Sequence, residues 1–154
     1  MEIILAENHG FCYGVKRAVE MANEAAEGKG KSYTLGPIIH NPQVVGRLES
    51  KGVSPIQEVA DIDEGTMIIR SHGVGPAIYA EAEEKGLHIL DATCPHVKKA
   101  QQDAKSVIED GMTLVILGEK NHPEVKSINL WANNKGIIIE DEESAKKLQI
   151  VEKM

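Results

Sequence analysis

Short apolar runs alternate along this chain with stretches in which apolar residues recur every three to four positions. Residues 3–6 read as a strand, and after a turn at His9-Gly10 the positions Val15, Ala18, Val19, Ala22, Ala25 and Ala26 mark one face of a helix that ends at Gly28. A second strand is predicted at 32–35. Asn41-Pro42 then supplies a capping residue and a proline for the first helical position, opening a helix toward Gly52. Further strands are predicted at 66–70, 87–90, 114–117 and 137–139. Between them lie helices over 77–85, from Thr93-Cys94-Pro95 to near Gly111 with Val97, Ala100, Ala104, Val107 and Ile108 on the buried stripe, and after Pro123. A short helix around 144–148 closes the pattern. This alternation predicts α/β architecture: repeated three-layer α/β domains with mainly parallel sheet, arranged pseudo-symmetrically about a central site.

Sliding the chain against itself by 82 residues exposes a repeat. Cys12 falls on Cys94, Val15 on Val97, Lys16 on Lys98, Ala18 on Ala100 and Ala22 on Ala104; Glu27 falls on Glu109, Leu35 on Leu117, Gly36 on Gly118 and His40 on His122. These are nine identities in 29 aligned positions, where average composition gives about two. Shared helix grammar accounts for the Ala and Val matches but not for Cys and His. Two copies of one supersecondary design are therefore expected, bringing Cys12 toward Cys94 and His40 toward His122. The division expected is a first domain over 1–92 and a second, incomplete one over 93–154. In the same register Ile68 and Ile69 map onto Ile150 and Val151, and the second copy stops where the first carries Ser71-His72-Gly73. The expectation is a piece of a longer chain, with a third domain and a third cysteine absent from it.

Composition narrows the functional classes. The 154 residues carry 17 Lys and Arg against 24 Asp and Glu, a net charge of −7, which repels nucleic acid and anionic membranes at long range. Five aromatic residues leave little for base stacking. No window is apolar enough to span a bilayer, and the first residues lack the basic flank of a signal peptide, so a cytoplasmic protein without nucleic-acid or membrane partners is expected. Two widely separated cysteines exclude a disulfide framework.

Both cysteines fall at predicted helix starts and precede basic pairs, Lys16-Arg17 and Lys98-Lys99. Helix dipole and nearby cations both favour thiolate, the nucleophilic and metal-binding form. No zinc-type spacing is present. Two thiolates underfill a cluster, whereas a third from a further copy would leave a cubane iron–sulfur cluster with one open iron. His40, His72 and His122 lie at strand-to-helix turns, where free backbone N–H groups and the positive end of a helix make a phosphate or diphosphate pocket. Glu124 follows in the first turn after His122, where bound diphosphate would keep it protonated as a donor. His9, His88 and His96 fit no repeated slot and are read as structural. A phosphate-ligand-binding module and a thiol-redox module, each without a cluster, are the alternative readings.

Five segments carry a more specific likeness: Gly10-Phe11-Cys12-Tyr13-Gly14-Val15, Ile39-His40-Asn41, Ser71-His72-Gly73-Val74, Asp91-Ala92-Thr93-Cys94-Pro95 and His122-Pro123-Glu124-Val125. In these the chain resembles the 4-hydroxy-3-methylbut-2-enyl diphosphate reductases of isoprenoid biosynthesis by the methylerythritol phosphate route. The resemblance implies three α/β domains around a 4Fe-4S cluster held by three cysteines, with Cys12 and Cys94 as two of the metal ligands. It further implies that His40, His72 and His122 bind an allylic diphosphate and that Glu124 is the catalytic proton donor. The implied reaction is reductive removal of the allylic hydroxyl, with electrons from an external donor such as ferredoxin or flavodoxin. The family's third cysteine, a following threonine and later Ser and Asn ligands have no counterpart here, so the chain by itself is expected to be inactive.

Overall fold

The structure is a computed structural model that describes residues 2–28 and 30–148. It contains α1 (Tyr13–Glu27), β1 (Ser32–Leu35), α2 (Pro42–Ser50), β2 (Val53–Ile56), a 3-10 turn (Val59–Asp61) and β3 (Thr66–Ile69). After these come α3 (Pro76–Glu84), β4 (His88–Asp91), α4 (Pro95–Glu109), β5 (Val115–Leu117), α5 (Pro123–Trp131), β6 (Ile137–Ile139) and α6 (Glu142–Lys146). Four strands form one wholly parallel sheet in the order β2-β1-β3-β4, and β5 and β6 form a second parallel pair.

The helices begin where local chemistry dictates. Asn41 accepts the Val44 N–H at 3.1 Å through its side chain, and proline occupies the first turn of α2, α3, α4 and α5, where no N–H is needed for an intrahelical bond. The central strands β1 and β3 of the larger sheet are largely buried on both faces, with residues of β3 alternating between them. Ile68 joins Ala18 and Ala22 of α1 and Val44 and Leu48 of α2 on one face. Met67 and Ile69 join Val59, Ala82 and Leu87 on the other, beneath the 3-10 turn and α3. This is the three-layer α/β arrangement expected. The β5-β6 pair is more open: Ile116 and Ile139 are buried, while Leu117 is 80% exposed.

The 82-residue shift is preserved in three dimensions. It carries Tyr13–Glu27 onto Pro95–Glu109 residue for residue, and places α2 within one residue of α5. Each copy forms a parallel pair from its first two strands, β1 with β2 and β5 with β6. The repeat of β3 expected at Ile150 and Val151 lies outside the described residues.

Two sequence expectations need correction. Residues 3–6 form no regular strand; Ile3, Ile4 and Leu5 are 75–83% exposed, because apolar β-formers make a strand only where a sheet edge pairs with them, and neither described sheet does. Conversely, β2 was not anticipated, because Pro55 interrupts its pattern. Its place at the edge of the sheet explains why a residue without an N–H is tolerated there.

Burial separates the two sheets energetically. Ile68→Ala, at a fully buried position of a strand paired on both sides, is expected to destabilise the fold by about 2–5 kcal/mol. Ile137→Ala, 41% exposed, should cost less than about 1.5 kcal/mol. Urea unfolding of the two variants measures the difference.

Candidate functional site

Three loops, each leaving the C-terminal end of a strand, bring the histidines together. His40 follows the buried pair Ile38 and Ile39 and precedes the Asn41 cap. His72 follows Ser71, whose backbone N–H and Oγ both donate to the Ile38 carbonyl, at 3.3 and 3.2 Å. That double bond ties the His72 loop to the His40 loop. His122 is the N-cap of α5, and its Nδ1 accepts the Glu124 N–H at 3.2 Å.

The His72 loop is also held from the second copy. Ser127 of α5 donates to the His72 carbonyl at 2.7 Å, Gln101 of α4 donates to Ser127 Oγ at 3.3 Å, and Trp131 Nε1 donates to the Val74 carbonyl at 2.9 Å. Gly73 completes this contact. Its φ of +71° and a side-chain direction that runs into Gln101 and the Thr93 methyl leave room for no larger residue.

In the resulting trio, ring centroids are 4.5 Å apart for His40–His72, 5.6 Å for His72–His122 and 5.9 Å for His40–His122. One ring nitrogen of each lies within 4.8 Å of one from each of the others. Burial, then the neighbouring His40, Arg70 and His122 charges, pushes the His72 pKa down to about 4, so that ring is neutral at pH 7. Its Nδ1 is buried without a partner. Since His122 Nδ1 accepts a backbone N–H, its proton resides on Nε2 when the ring is neutral, and that N–H is free to donate. Three imidazoles could coordinate a transition metal, but the group contains no carboxylate and the Arg70 guanidinium adds positive charge beside it. The electrostatics favour a polyatomic anion.

Cys12 and Cys94 cap α1 and α4 in matching fashion: the Cys12 carbonyl accepts the Lys16 N–H, and the Cys94 carbonyl accepts the Lys98 N–H, both at 2.9 Å. Both thiols are free; Cys12 is exposed and Cys94 partly buried. The Cys94 sulfur packs directly on Gly14, two residues past Cys12, where a Cβ would collide with it. The two cysteine-bearing helix starts therefore adjoin one another. Glu124 is half-buried in the first turn of α5, and its carboxylate takes part in no hydrogen bond or ion pair among the described residues.

Three of the four basic side chains that follow the cysteines have partners other than the sulfurs. Lys98 pairs with Asp91 at 2.6 Å, Lys99 pairs with Asp103 at 2.6 Å, and Arg17 donates to the Thr93 and Asp91 carbonyls. Carboxylates and carbonyls compete for these donors, and the local geometry satisfies them first.

Asp91 is the principal residue whose role sequence reasoning missed. Its carboxylate accepts from Lys98 Nζ, from Tyr79 Oη at 3.2 Å and from the Thr93 N–H at 3.0 Å, fixing the segment that delivers Cys94. The Cys94 N–H in turn donates to the Ser71 carbonyl at 2.9 Å. Burial opposes the charged carboxylate, but the bonds from Lys98 and Thr93 outweigh it and hold the Asp91 pKa below its ordinary value. The same environment pushes the Tyr79 phenol up to about 12, by burial and by the Asp91 charge.

Fold and site together define an α/β protein built from duplicated strand–helix units, with a cluster of three histidines and two adjoining helix starts that each carry a free thiol. Comparison with known proteins gives the family. A model described as LytB protein matches residues 3–154, and the chain belongs to that family. It is 50% identical over 154 residues to a Geobacter metallireducens protein named 4-hydroxy-3-methylbut-2-enyl diphosphate reductase, covering all of this chain and 55% of that protein. A Caldanaerobacter subterraneus subsp. tengcongensis protein of the same name is 47% identical, covering 99% of this chain and 55% of its own length. A solved structure of (E)-4-hydroxy-3-methyl-but-2-enyl diphosphate reductase, described as the terminal enzyme of the non-mevalonate pathway, aligns with a TM-score of 0.81 and 47% identity over 94% of this chain and 53% of that one. The corresponding reductase from Plasmodium falciparum aligns with a TM-score of 0.89 and 32% identity over 94% of this chain and 46% of that one. The chain thus spans about half the length of the relatives it matches. No helix among the described residues is long and apolar enough to cross a membrane.

Asp91 generates a pH prediction. Because its folded pKa is depressed, the stability it contributes is fully present above the unfolded value of about 3.9 and is lost as pH falls through the folded value. Asp91→Asn should destabilise the protein by about 1.5–3 kcal/mol at pH 7 and flatten the fall in stability below about pH 4. Urea midpoints measured from pH 7 to pH 2.5 test both.

Proposed function

We propose that this chain provides part of the substrate pocket and two of the cluster thiolates of a reductase that converts 4-hydroxy-3-methylbut-2-enyl diphosphate to isopentenyl and dimethylallyl diphosphate. The observation that supports it most is the meeting of three imidazoles from three separate strand-to-helix loops. In a chain of net charge −7, such a cluster beside an arginine is a local site for a polyanion.

In this reading His40, His72 and His122 bind the diphosphate. The neutral His72 ring and the His122 Nε2–H donate to phosphoryl oxygens, with Nδ1 of His122 held by the α5 backbone to fix the direction of its bond. Glu124, one turn into α5 and free of protein partners among the described residues, gives a proton to the departing hydroxyl. The reaction consumes two electrons and two protons: a C–O bond breaks, a C–H bond forms, and the hydroxyl leaves as water. Cys12 and Cys94 suit an iron–sulfur group, since both are free thiols at adjoining helix starts and Gly14 leaves the space that the Cys94 sulfur occupies. When bound, a 4Fe-4S cluster would supply the electrons, replenished by an external donor such as ferredoxin or flavodoxin. The setting is the cytoplasm, and the two βα copies act as separate domains that meet at residues 92–93.

Anaerobic reconstitution with iron and sulfide tests the cluster reading: brown colour and broad visible absorption that are lost in Cys12→Ser and Cys94→Ser and weakened in Gly14→Ala support it. Zinc uptake without colour would instead indicate a structural metal module, and a dithiol–disulfide midpoint without metal a redox pair. Pyrophosphate binding, followed by calorimetry, should weaken at least about tenfold in His122→Ala through loss of a hydrogen bond to a charged group. Equal affinity in wild type, His40→Ala and His122→Ala would refute the diphosphate assignment.

A further inference from the structure

A cavity of about 400 Å³, whose lining includes none of the three histidines, lies between the loops of the larger sheet and α5. Its polar wall contains Arg70, Lys126, Gln57 and Asn121, and its apolar wall includes Ile78 and Leu130. No Asp or Glu lines it among the described residues. This is unexpected in a chain where acids outnumber bases by 24 to 17.

Arg70 is the residue that calls for an explanation. It extends from the end of β3 and packs against Gly36, where a Cβ would lie 2.5 Å from its Nη1. The side chain is partly buried, makes no hydrogen bond or ion pair among the described residues, and leaves Nε wholly buried and unpartnered. Loss of hydration lowers its pKa. A guanidinium withdrawn from water without an acceptor destabilises the unliganded fold, because nothing replaces the bonds that water gave it. Lys126, on the solvent side of the same cavity, likewise has no acid partner among the described residues.

We infer that this cavity is a binding site for a small amphiphilic anion, a phosphate or carboxylate head on a short apolar chain, with Arg70 and Lys126 receiving the head and Ile78 and Leu130 receiving the chain. Arg70 offers a forked set of donors suited to two oxygens of one group, and Lys126 adds a point charge. The cavity borders residues of both copies, Gly73 and Val74 on one side and Pro123 and Ser127 on the other, so an occupant bridges the two loops that carry His72 and His122. The three histidines do not line this cavity, and Arg70, whose charge also reaches His72, is the one residue the two readings share.

The sequence contains only three arginines, Arg17, Arg47 and Arg70, so the Nε–H resonance of Arg70 is assignable in a nitrogen-edited spectrum by its loss in Arg70→Met. Titration with n-pentyl phosphate is expected to shift that resonance to saturation, at concentrations at least about fivefold below those needed for inorganic phosphate, since the apolar wall rewards the chain. Lys126→Met should weaken the effect at least fivefold, and His40→Ala, which neither lines the cavity nor caps α5, should not abolish it. Arg70→Met should unfold at the same or a higher temperature than wild type without ligand, and lose the stabilisation that pentyl phosphate confers. An unshifted Arg70 signal, a response abolished by His40→Ala, equal affinity for the two phosphates, or a lower melting temperature for unliganded Arg70→Met would each overturn the inference. Failure of the histidine assignment is read separately, from pyrophosphate binding that is indifferent to His40 and His122.

Discussion

The site depends on how one short loop, Ser71-His72-Gly73-Val74, is satisfied where it lies between the two copies. Its polar backbone is removed from water and must find partners. Ser71 donates twice to Ile38 in the first copy and accepts from Cys94; His72 accepts from Ser127 and Val74 from Trp131 in the second. Each of these bonds fixes the loop relative to one functional segment: the His40 loop, the Cys94 helix start, or the His122 helix. A side chain at Gly73 would displace Gln101 and Thr93 and break the set at its centre. Convergence of the histidines is thus a consequence of backbone satisfaction, not of attraction among the rings, which repel one another as they gain charge.

That repulsion is itself useful. Three imidazoles with a nitrogen of each within 4.8 Å of the others, and the Arg70 charge felt at His72, make a region in which further positive charge is disfavoured. The overall charge of −7 acts at long range and is screened by salt over about 8 Å at physiological ionic strength. At shorter range the local field, not the net charge, therefore governs. The Asp91–Lys98 pair serves a different purpose, holding the Cys94 segment in place with its charges answered internally.

Much of this could be read along the chain, because the signals involved are local. Proline and asparagine at helix starts, together with the apolar spacing, located α1, α2, α4 and α5 to within a residue or two. The 82-residue repeat anticipated which Cys and His would correspond, since it compares positions and needs no contact. Interactions between distant residues were not legible. Ser127 meets His72 across 55 positions and Trp131 meets Val74 across 57, and neither residue type announces such a partner. Gln101 interrupts an apolar stripe and is fully buried because Ser127 receives its amide. Residues 3–6 show the converse, a strand-like sequence to which no described sheet offers an edge.

The two copies use one local design under different packing constraints. In the first, helices and a 3-10 turn cover both faces of a four-stranded sheet, and burial at β1 and β3 is nearly complete. In the second, the sheet has two described strands, and Leu117 at the end of β5 stays exposed although its counterpart Leu35 is buried. Cys12 and Cys94 are nevertheless both N-caps of their helices, and each loop before α2 and α5 carries a histidine at the helix start: His40 stands one residue before the Asn41 cap, and His122 is itself the cap. Short-range chemistry therefore sets the functional geometry in both copies, while the depth of the core varies between them. A duplicated unit of this kind keeps its reactive ends in register even where the sheet beneath them is less completely covered.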